Sequence, residues 1–276
     1  MIAITGATGA VGGRVAHLLA DLAPRLVVRD PSRAPDVGGE VRTASYDDRA
    51  AAVSALDGVA TLLLVSGSES ADRRAQHRTM VDAAVAAGVG HVVYTSFVGA
   101  GPDATFTLGR DHGDTEQAIR ESGLAFTLLR DNFYLDVLPY FADANGVIRG
   151  PAGSGRIAAV ARADVADVAA VVLREPEAHA GVTYDLTGPE SLTMTDVAAR
   201  AGAALGRDLR YEEETLEEAY ASRRAAYPDA ADWQLDAWVS TYTAVADGSV
   251  AGISGDVERV TAHPARTLEQ TLGPAR

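Results

Sequence analysis

Apolar residues recur along the first 130 positions in two alternating rhythms. Ile2–Thr5 is a short apolar run, and Val11–Leu22 repeats its apolar positions at helical spacing. Leu26–Arg29 reads as a second strand, Val41–Ala44 as a third and Asp48–Leu56 as a helix. Thr61–Val65, TLLLV, has the composition of a central strand. Ala71–Ala87 reads as a long helix stopped at Gly88, and His91–Ser96, HVVYTS, as the next strand. Asp111–Ser122 reads as a helix stopped at Gly123, and Ala125–Arg130, AFTLLR, as a strand. Strands alternating with helices of these lengths predict a parallel sheet joined by right-handed crossovers.

After about residue 135 the rhythm loosens. Residues 150–156, GPAGSGR, form turn material. Asp164–Leu173 is expected as a helix with Asp164 at its N-cap, and Val182–Leu186 as a strand. Thr195–Leu205 is expected as a helix capped by Thr193 or Thr195. Leu216–Ala226 and Asp232–Ala246 read as polar, amphipathic helices. The fold class is therefore α/β: a Rossmann-type doubly wound parallel sheet with a smaller α/β C-terminal substrate lobe.

The junction of the first strand and helix carries the first chemical signal. Residues 2–13 read IAITGATGAVGG, with glycines at Gly6, Gly9 and Gly12. Gly6 lets the chain leave the strand in a tight turn, Gly9 lets the backbone approach a pyrophosphate, and Gly12 lets the helix pack on the strand. The amides of Gly6, Ala7, Thr8, Gly9, Ala10, Val11 and Gly12 would meet the phosphates, helped by the helix dipole. A lone glycine pattern is weak, but this one follows a strand, opens a helix and heads a βαβ series, so it predicts a dinucleotide site. The second strand ends at Arg29, where an acid would select NAD through the ribose 2′-OH and an Arg would accept the 2′-phosphate of NADP. NADP(H) is the expected cofactor, with NAD(H) as the alternative; Asp30 either opposes the phosphate or caps a helix starting at Pro31. Residues 1–134 are thus expected to be the NAD(P)-binding Rossmann domain. Residues 135–276 are expected to be a smaller substrate-binding lid intertwined with it.

Composition narrows the rest. The 276 residues are 47% hydrophobic and 22% charged, as in a globular chain. The formal net charge of −14 argues against a nucleic-acid or anionic-membrane partner. There is no Cys, so thiol nucleophiles and Cys metal sites are excluded, and the six His are scattered without metal-site spacing, so no metal is expected. There is also no Lys, which removes Schiff-base chemistry. The absence of a leader pattern or long apolar run predicts a cytoplasmic chain with no membrane span.

TGATGAVGG, VVRDPSR, LLLVS, AQHR, VVYTS and the closing TAHPARTLEQTL resemble the NmrA-like branch of the atypical short-chain dehydrogenases/reductases. Within it the likeness is greatest to the bacterial NADPH-dependent quinone oxidoreductases, and it runs from Met1 to about Leu272. The resemblance implies that Ser66 and Gly67 lie along the cofactor, that Gln76 stands near it, and that Thr95 and Ser96 flank the nicotinamide ribose. Asp131 and Asn132 would border the nicotinamide, with Phe97, Phe133 and Tyr134 as an aromatic substrate pocket. Short-chain reductases usually carry Tyr-x-x-x-Lys, which this chain cannot have. Some NmrA-like reductases instead use a Lys eleven residues before a glycine turn, and here that position, counted from Gly123, is His112. His112 is therefore the candidate catalytic residue, to bond the ribose or donate a proton near neutral pH. Two departures stand out: Ser45 replaces an acid that touches adenine, so that this contact is either weaker or made by Tyr46, and Asp131–Asn132 replaces an Asn-Gly or Pro-Gly pair.

The resemblance implies NADPH-dependent hydride transfer to a quinone or similar small electrophile, an acceptor that needs little beyond orientation and a dry pocket. The rival reading is a non-catalytic regulator that senses the NADP+/NADPH ratio. A homodimer is left open by the sequence.

Overall fold

The computed structural model describes residues 1–273. Its frame is a seven-stranded, all-parallel sheet. Strands β1 (Ile2–Thr5), β2 (Arg25–Val28), β3 (Val41–Thr43), β4 (Thr61–Leu64), β5 (His91–Phe97) and β6 (Ala125–Asp131) are joined by helices α1 (Ala10–Leu18), α2 (Arg49–Leu56), α3 (Arg73–Ala86) and α4 (Thr107–Glu121). The chain then forms β7 (Val147–Gly150), β8 (Arg156–Ile157), α5 (Arg162–Arg174) and β9 (Thr183–Leu186), the last completing the sheet in the order β3-β2-β1-β4-β5-β6-β9. The remaining elements are β10 (Leu192–Thr193), α6 (Met194–Leu205), β11 (Arg210–Glu213), α7 (Leu216–Ala226), α8 (Asp232–Ala246), α9 (Asp256–Thr261) and α10 (Leu268–Leu272). This is the expected Rossmann-type fold. Strand order reverses at β1, between β2 and β4, which is the point where such sheets open a crevice at their carboxyl ends.

Period-two alternation builds two core layers from the same strands. Ile4, Leu26, Leu63, Val93 and Leu129 face α1 and α5, packing on Val15, Leu19, Val165, Val168 and Val172. Their neighbours Val27, Leu62, Leu64, Val92, Tyr94 and Leu128 face the other way, onto Leu56, Met80, Val81 and Ile119. Register follows: Ile4 sits beside Leu26 and Leu63, and Val92 beside Leu62 and Phe126. All four β4 residues are buried, at about 1.5–3 kcal/mol for each large side chain.

Several local expectations are corrected. The first helix ends at Leu18, followed by a 3-10 turn at Ala20–Leu22. Pro24 then forbids helical continuation, and Ala23 takes a left-handed φ of 44°. Asp164 does not cap α5, whose N-cap is Ala161; it lies fully buried inside the first turn, accepting from the Arg266 backbone N–H at 2.8 Å. The tertiary ion pair with the Arg266 guanidinium outcompetes the local cap. Thr193 does cap α6, in a capping box with Asp196.

The second half is not a separate layer, because α5 packs on α1 and β9 pairs with β6. Helix α9 joins the same core through Val257, and the remaining elements form their own cluster, with β7 beside β11 and β8 beside β10, around Ile148, Ile157, Met194, Val197, Tyr242 and Val245. Phe97 and Leu135 join this cluster, so it sits against the carboxyl edge of the sheet. Among the described residues no helix is long and apolar enough to cross a membrane.

Candidate active site

The glycine turn begins where β1 is locked to its neighbour. Buried Thr5 donates its hydroxyl to the Leu63 carbonyl at 3.1 Å and accepts from the Val65 amide at 2.9 Å and the Tyr46 hydroxyl at 2.6 Å. Tyr46 therefore spends its hydroxyl on the sheet, and burial pushes that phenol up to about 12. Gly6 follows at φ 62°, a left-handed conformation open to glycine. At Gly12 a Cβ would meet the Gly6 carbonyl oxygen at 2.5 Å and that of Thr5 at 2.9 Å, so only glycine lets α1 start this close to the strand. The α1 N-cap is Gly9, with no side-chain cap bond and no acid in the first turn. Ala7 and Val11 bury their side chains in the core, and Thr8, Gly9 and Ala10 are exposed. What the turn presents outward is main-chain N–H groups at a positive helix end. Arg29, exposed just past β2, makes no ion pair among the described residues. Asp30 turns to Ser32, accepting its N–H at 3.0 Å and its hydroxyl at 2.6 Å, and so caps the 3-10 turn at Pro31.

Beyond β4 the chain is held by a buried polar network. The Ser66 amide donates to Thr95 Oγ1 at 2.8 Å, and the Gly67 amide to His77 Nε2 at 2.8 Å. Arg73, also on α3, donates Nε–H to the Gly67 carbonyl at 3.0 Å and Nη2–H to His112 Nε2 at 3.0 Å. His112 Nδ1 then lies 2.9 Å from the Tyr94 hydroxyl. In each imidazole Nε2 accepts a bond, so both rings are neutral with the proton on Nδ1. Burial, then the Arg73 charge, drive His77 down to about 3 and His112 well below the usual histidine range. The expected proton donor near neutral pH is thus corrected: His112 is buried, neutral and committed at both nitrogens. Gln76 stands half-buried on the same helix, one turn after Arg73.

The ends of β5 and β6 sort the remaining candidates. Ser96 sends its hydroxyl away from Thr95, to Glu116 at 2.6 Å, which Arg130 grips with two bonds at 2.7 Å. Alternation along the strand separates the pair that the motif placed together. Asp131 is buried and accepts from the Tyr134 hydroxyl. Asn132, also buried, donates to the Val250 carbonyl at 2.9 Å and accepts the Phe133 amide at 2.7 Å, stapling the C-terminal segment to the sheet.

A cavity of about 710 Å³ lies over this edge. Its aromatic lining includes Phe106, Phe133, Phe141, Trp238 and Tyr242, with Glu69 from the loop after β4 at its rim. Phe97, Phe106 and Phe133 form a closed triad with ring centroids 4.8–4.9 Å apart. Phe106 takes the place expected for Tyr134, which points to the opposite side, onto the α1/α5 core. The cavity's two arginines are neutralised: Arg149 pairs with Asp143 and Glu212, and Arg223 with Glu214.

The NAD(P)H-binding family matches residues 6–176, more than half of the chain. The chain belongs to that family. It is similar to quinone oxidoreductase 2 of Escherichia coli, 36% identical over 286 residues that cover 99% of this chain and 97% of that one. An NAD(P)H azoreductase of Xenophilus azovorans is 33% identical, with 98% of this chain and 96% of that one covered. An NmrA-like family domain-containing oxidoreductase of Aspergillus flavus is 29% identical, with 75% and 73% covered. Among solved structures, the Escherichia coli NADPH-dependent quinone oxidoreductase complexed with NADPH superimposes with a TM-score of 0.89 at 35% identity, covering 99% of this chain and 98% of that one. The family expected from the motifs is therefore found, and NAD(P)H is the cofactor.

The glycine cradle fits an NAD(P)H diphosphate: the N-terminus of α1 carries no side-chain cap and no acid in its first turn, and Gly12 lets the helix start close against the end of β1. Sequence reading missed Arg73, His77, Tyr94, Phe106, Glu69 and Trp238. A signal existed only for the helix α3 set, where Arg73, Gln76 and His77 share one face at i, i+3 and i+4.

Proposed function

We propose that this chain is an NADPH-dependent oxidoreductase that transfers hydride to a quinone or a similar flat electrophile. The observation that carries the reading is the 710 Å³ aromatic cavity, which shares the sheet's carboxyl edge with the glycine cradle. Its relatives named as quinone oxidoreductase and azoreductase act on flat conjugated acceptors, in keeping with such a lining. The regulator reading is not favoured.

In this reading the amides of Gly6 through Gly12 hold the diphosphate and Arg29 the 2′-phosphate. Ser66, Gly67, Gln76 and Thr95 border the nucleotide's second half, and Asp131–Asn132 its far end. Bound there, the dihydronicotinamide supplies the hydride. Phe106 and Phe133 present ring edges and faces that orient a planar acceptor and exclude water. No side chain is needed as the acid, since a hydroquinone oxyanion takes its proton from water at the cavity mouth. His112 is a positioning residue: it fixes Arg73, and Arg73 fixes the Gly67 carbonyl. Within residues 135–273, the elements other than α5, β9 and α9 serve as the substrate lid.

The test is steady-state consumption of NADPH with 1,4-benzoquinone and 1,4-naphthoquinone. Turnover well above the enzyme-free rate is expected. Tight NADPH binding without turnover of any quinone would restore the regulator reading.

A further inference from the structure

Among the described residues four carboxylates are buried: Glu116, Asp131, Asp164 and Glu214. Three have an arginine within ion-pair distance, Glu116 with Arg130, Asp164 with Arg266 and Glu214 with Arg223. Asp131 has none; its carboxylate is met by the Tyr134 hydroxyl and its own backbone N–H. A buried carboxylate without a counter-cation is costly, and such groups are retained where something else supplies the charge.

Its place in the fold indicates what does. The glycine cradle fixes a diphosphate at the end of β1, and Arg29 lies on the β2 side of it. The nicotinamide half must then run the other way along the carboxyl edge, over β4, β5 and β6. Asp131 is the last residue of β6, paired in register with Phe97 of β5. The oxidised nicotinamide ring carries a positive charge and the reduced ring does not.

We propose that Asp131 is the counter-charge for the oxidised nicotinamide ring, so that this chain prefers NADP+ over NADPH increasingly as the Asp131 carboxyl ionises. The inference rests on the NADP(H) reading above and adds a redox discrimination to it. Burial pushes Asp131 up to about 7, so the switch falls in the physiological range. The groups acting on it are few. Tyr134 donates to it and holds it lower than burial alone would, and the Arg73 charge on α3 does the same. The phenol of Tyr94, on β5, stays neutral because burial raises it. Arg162 and Asp136 act one step away, on Tyr134. The sign is fixed: below the midpoint Asp131 is neutral and gives no preference, and above it the carboxylate tightens NADP+ only. Binding of NADP+ therefore releases more protons near neutral pH than binding of NADPH does.

The test measures Kd for NADP+ and for NADPH by protein fluorescence between pH 6 and pH 8.5. The ratio Kd(NADPH)/Kd(NADP+) cancels titration of the 2′-phosphate, which both coenzymes share. In the wild type this ratio is expected to rise at least about threefold, each unit of pKa lowering by the cation being worth about tenfold. In Asp131→Asn it should be flat. In Tyr134→Phe the midpoint should move upward, because a hydrogen bond that favours the carboxylate is gone. If both coenzymes bind to the wild type and the ratio does not change with pH, the proposal is overturned while the cofactor reading stands. If neither coenzyme binds, the cofactor reading fails and the proposal with it. Should Asp131→Asn not fold by circular dichroism, an unmoved midpoint in Tyr134→Phe overturns the proposal alone.

Discussion

Trp238, on α8, donates its indole N–H to the Glu69 carboxylate at 3.2 Å and so ties the roof of the aromatic cavity to the loop that follows β4. Both residues line the cavity, and Trp238 also packs on Tyr227 with ring centroids 5.0 Å apart. The same helix is anchored independently, since Ser240 Oγ accepts the Thr107 amide at 3.1 Å. Trp238→Phe should therefore loosen the roof without unfolding it. The lost bond to a charged acceptor, partly exposed, is worth about 1 kcal/mol, or roughly a fivefold rise in quinone KM. NADPH Kd should not change. A matching rise in both constants would mean that the bond supports the nucleotide cradle instead.

Arg29 is exposed, lies beside Asp47 and Tyr46, and carries an unspent charge. Arg29→Ala should weaken NADPH by about ten- to a hundredfold, the range of a charge-assisted contact to phosphate. NADH, which lacks the phosphate, should bind the variant and the wild type alike. Paired titrations of the two coenzymes check this, and equal losses for both would move the 2′-phosphate contact elsewhere, Arg33 being the nearest alternative.

The neutral imidazoles make a pH prediction. His77 and His112 have folded pKa values below the unfolded value of 6.5, so their stabilisation is present above pH 6.5 and is lost as pH falls through and below it. Asp131, raised to about 7, acts oppositely, adding stability as pH falls from about 7 toward 4. His91, lowered by burial, acts with the two histidines, and Asp164 and Asp185, raised by burial, act with Asp131. Urea midpoints of the wild type and of His112→Gln at pH 7 and pH 5.5 isolate the His112 part: the wild type should lose more stability on acidification than the variant. An equal change in the two proteins would contradict the neutral, buried assignment. The same assignment predicts that kcat/KM shows no inflection near 6.5 that His112→Gln removes.

Much of this was written locally in the chain. The Gly6–Gly12 turn, the alternation of strands with helices and the strand-end Arg29 are short-range signals, and each lies where the sequence placed it. Elements fixed by distant partners were not legible. Strand β7 forms only because β11, some sixty residues later, lies parallel to it. The Arg73–His112 contact spans 39 positions and the Trp238–Glu69 contact 169, and no periodicity encodes either. Side-chain direction was the other blind spot. Thr95 and Ser96 are adjacent in the motif yet face opposite sides of the sheet, and Phe133 and Tyr134 diverge in the same way.

The central claim is that the cradle and the aromatic cavity together pass a hydride from NADPH to a planar acceptor. A single-turnover experiment addresses it directly: protein saturated with NADPH is mixed rapidly with 1,4-naphthoquinone, using NADPH deuterated at C4 in a parallel run. The account predicts one NADPH oxidised per naphthoquinone reduced, and a slower rate with the transferred deuterium. NADPH that binds tightly and stays reduced in the presence of the quinone would contradict it.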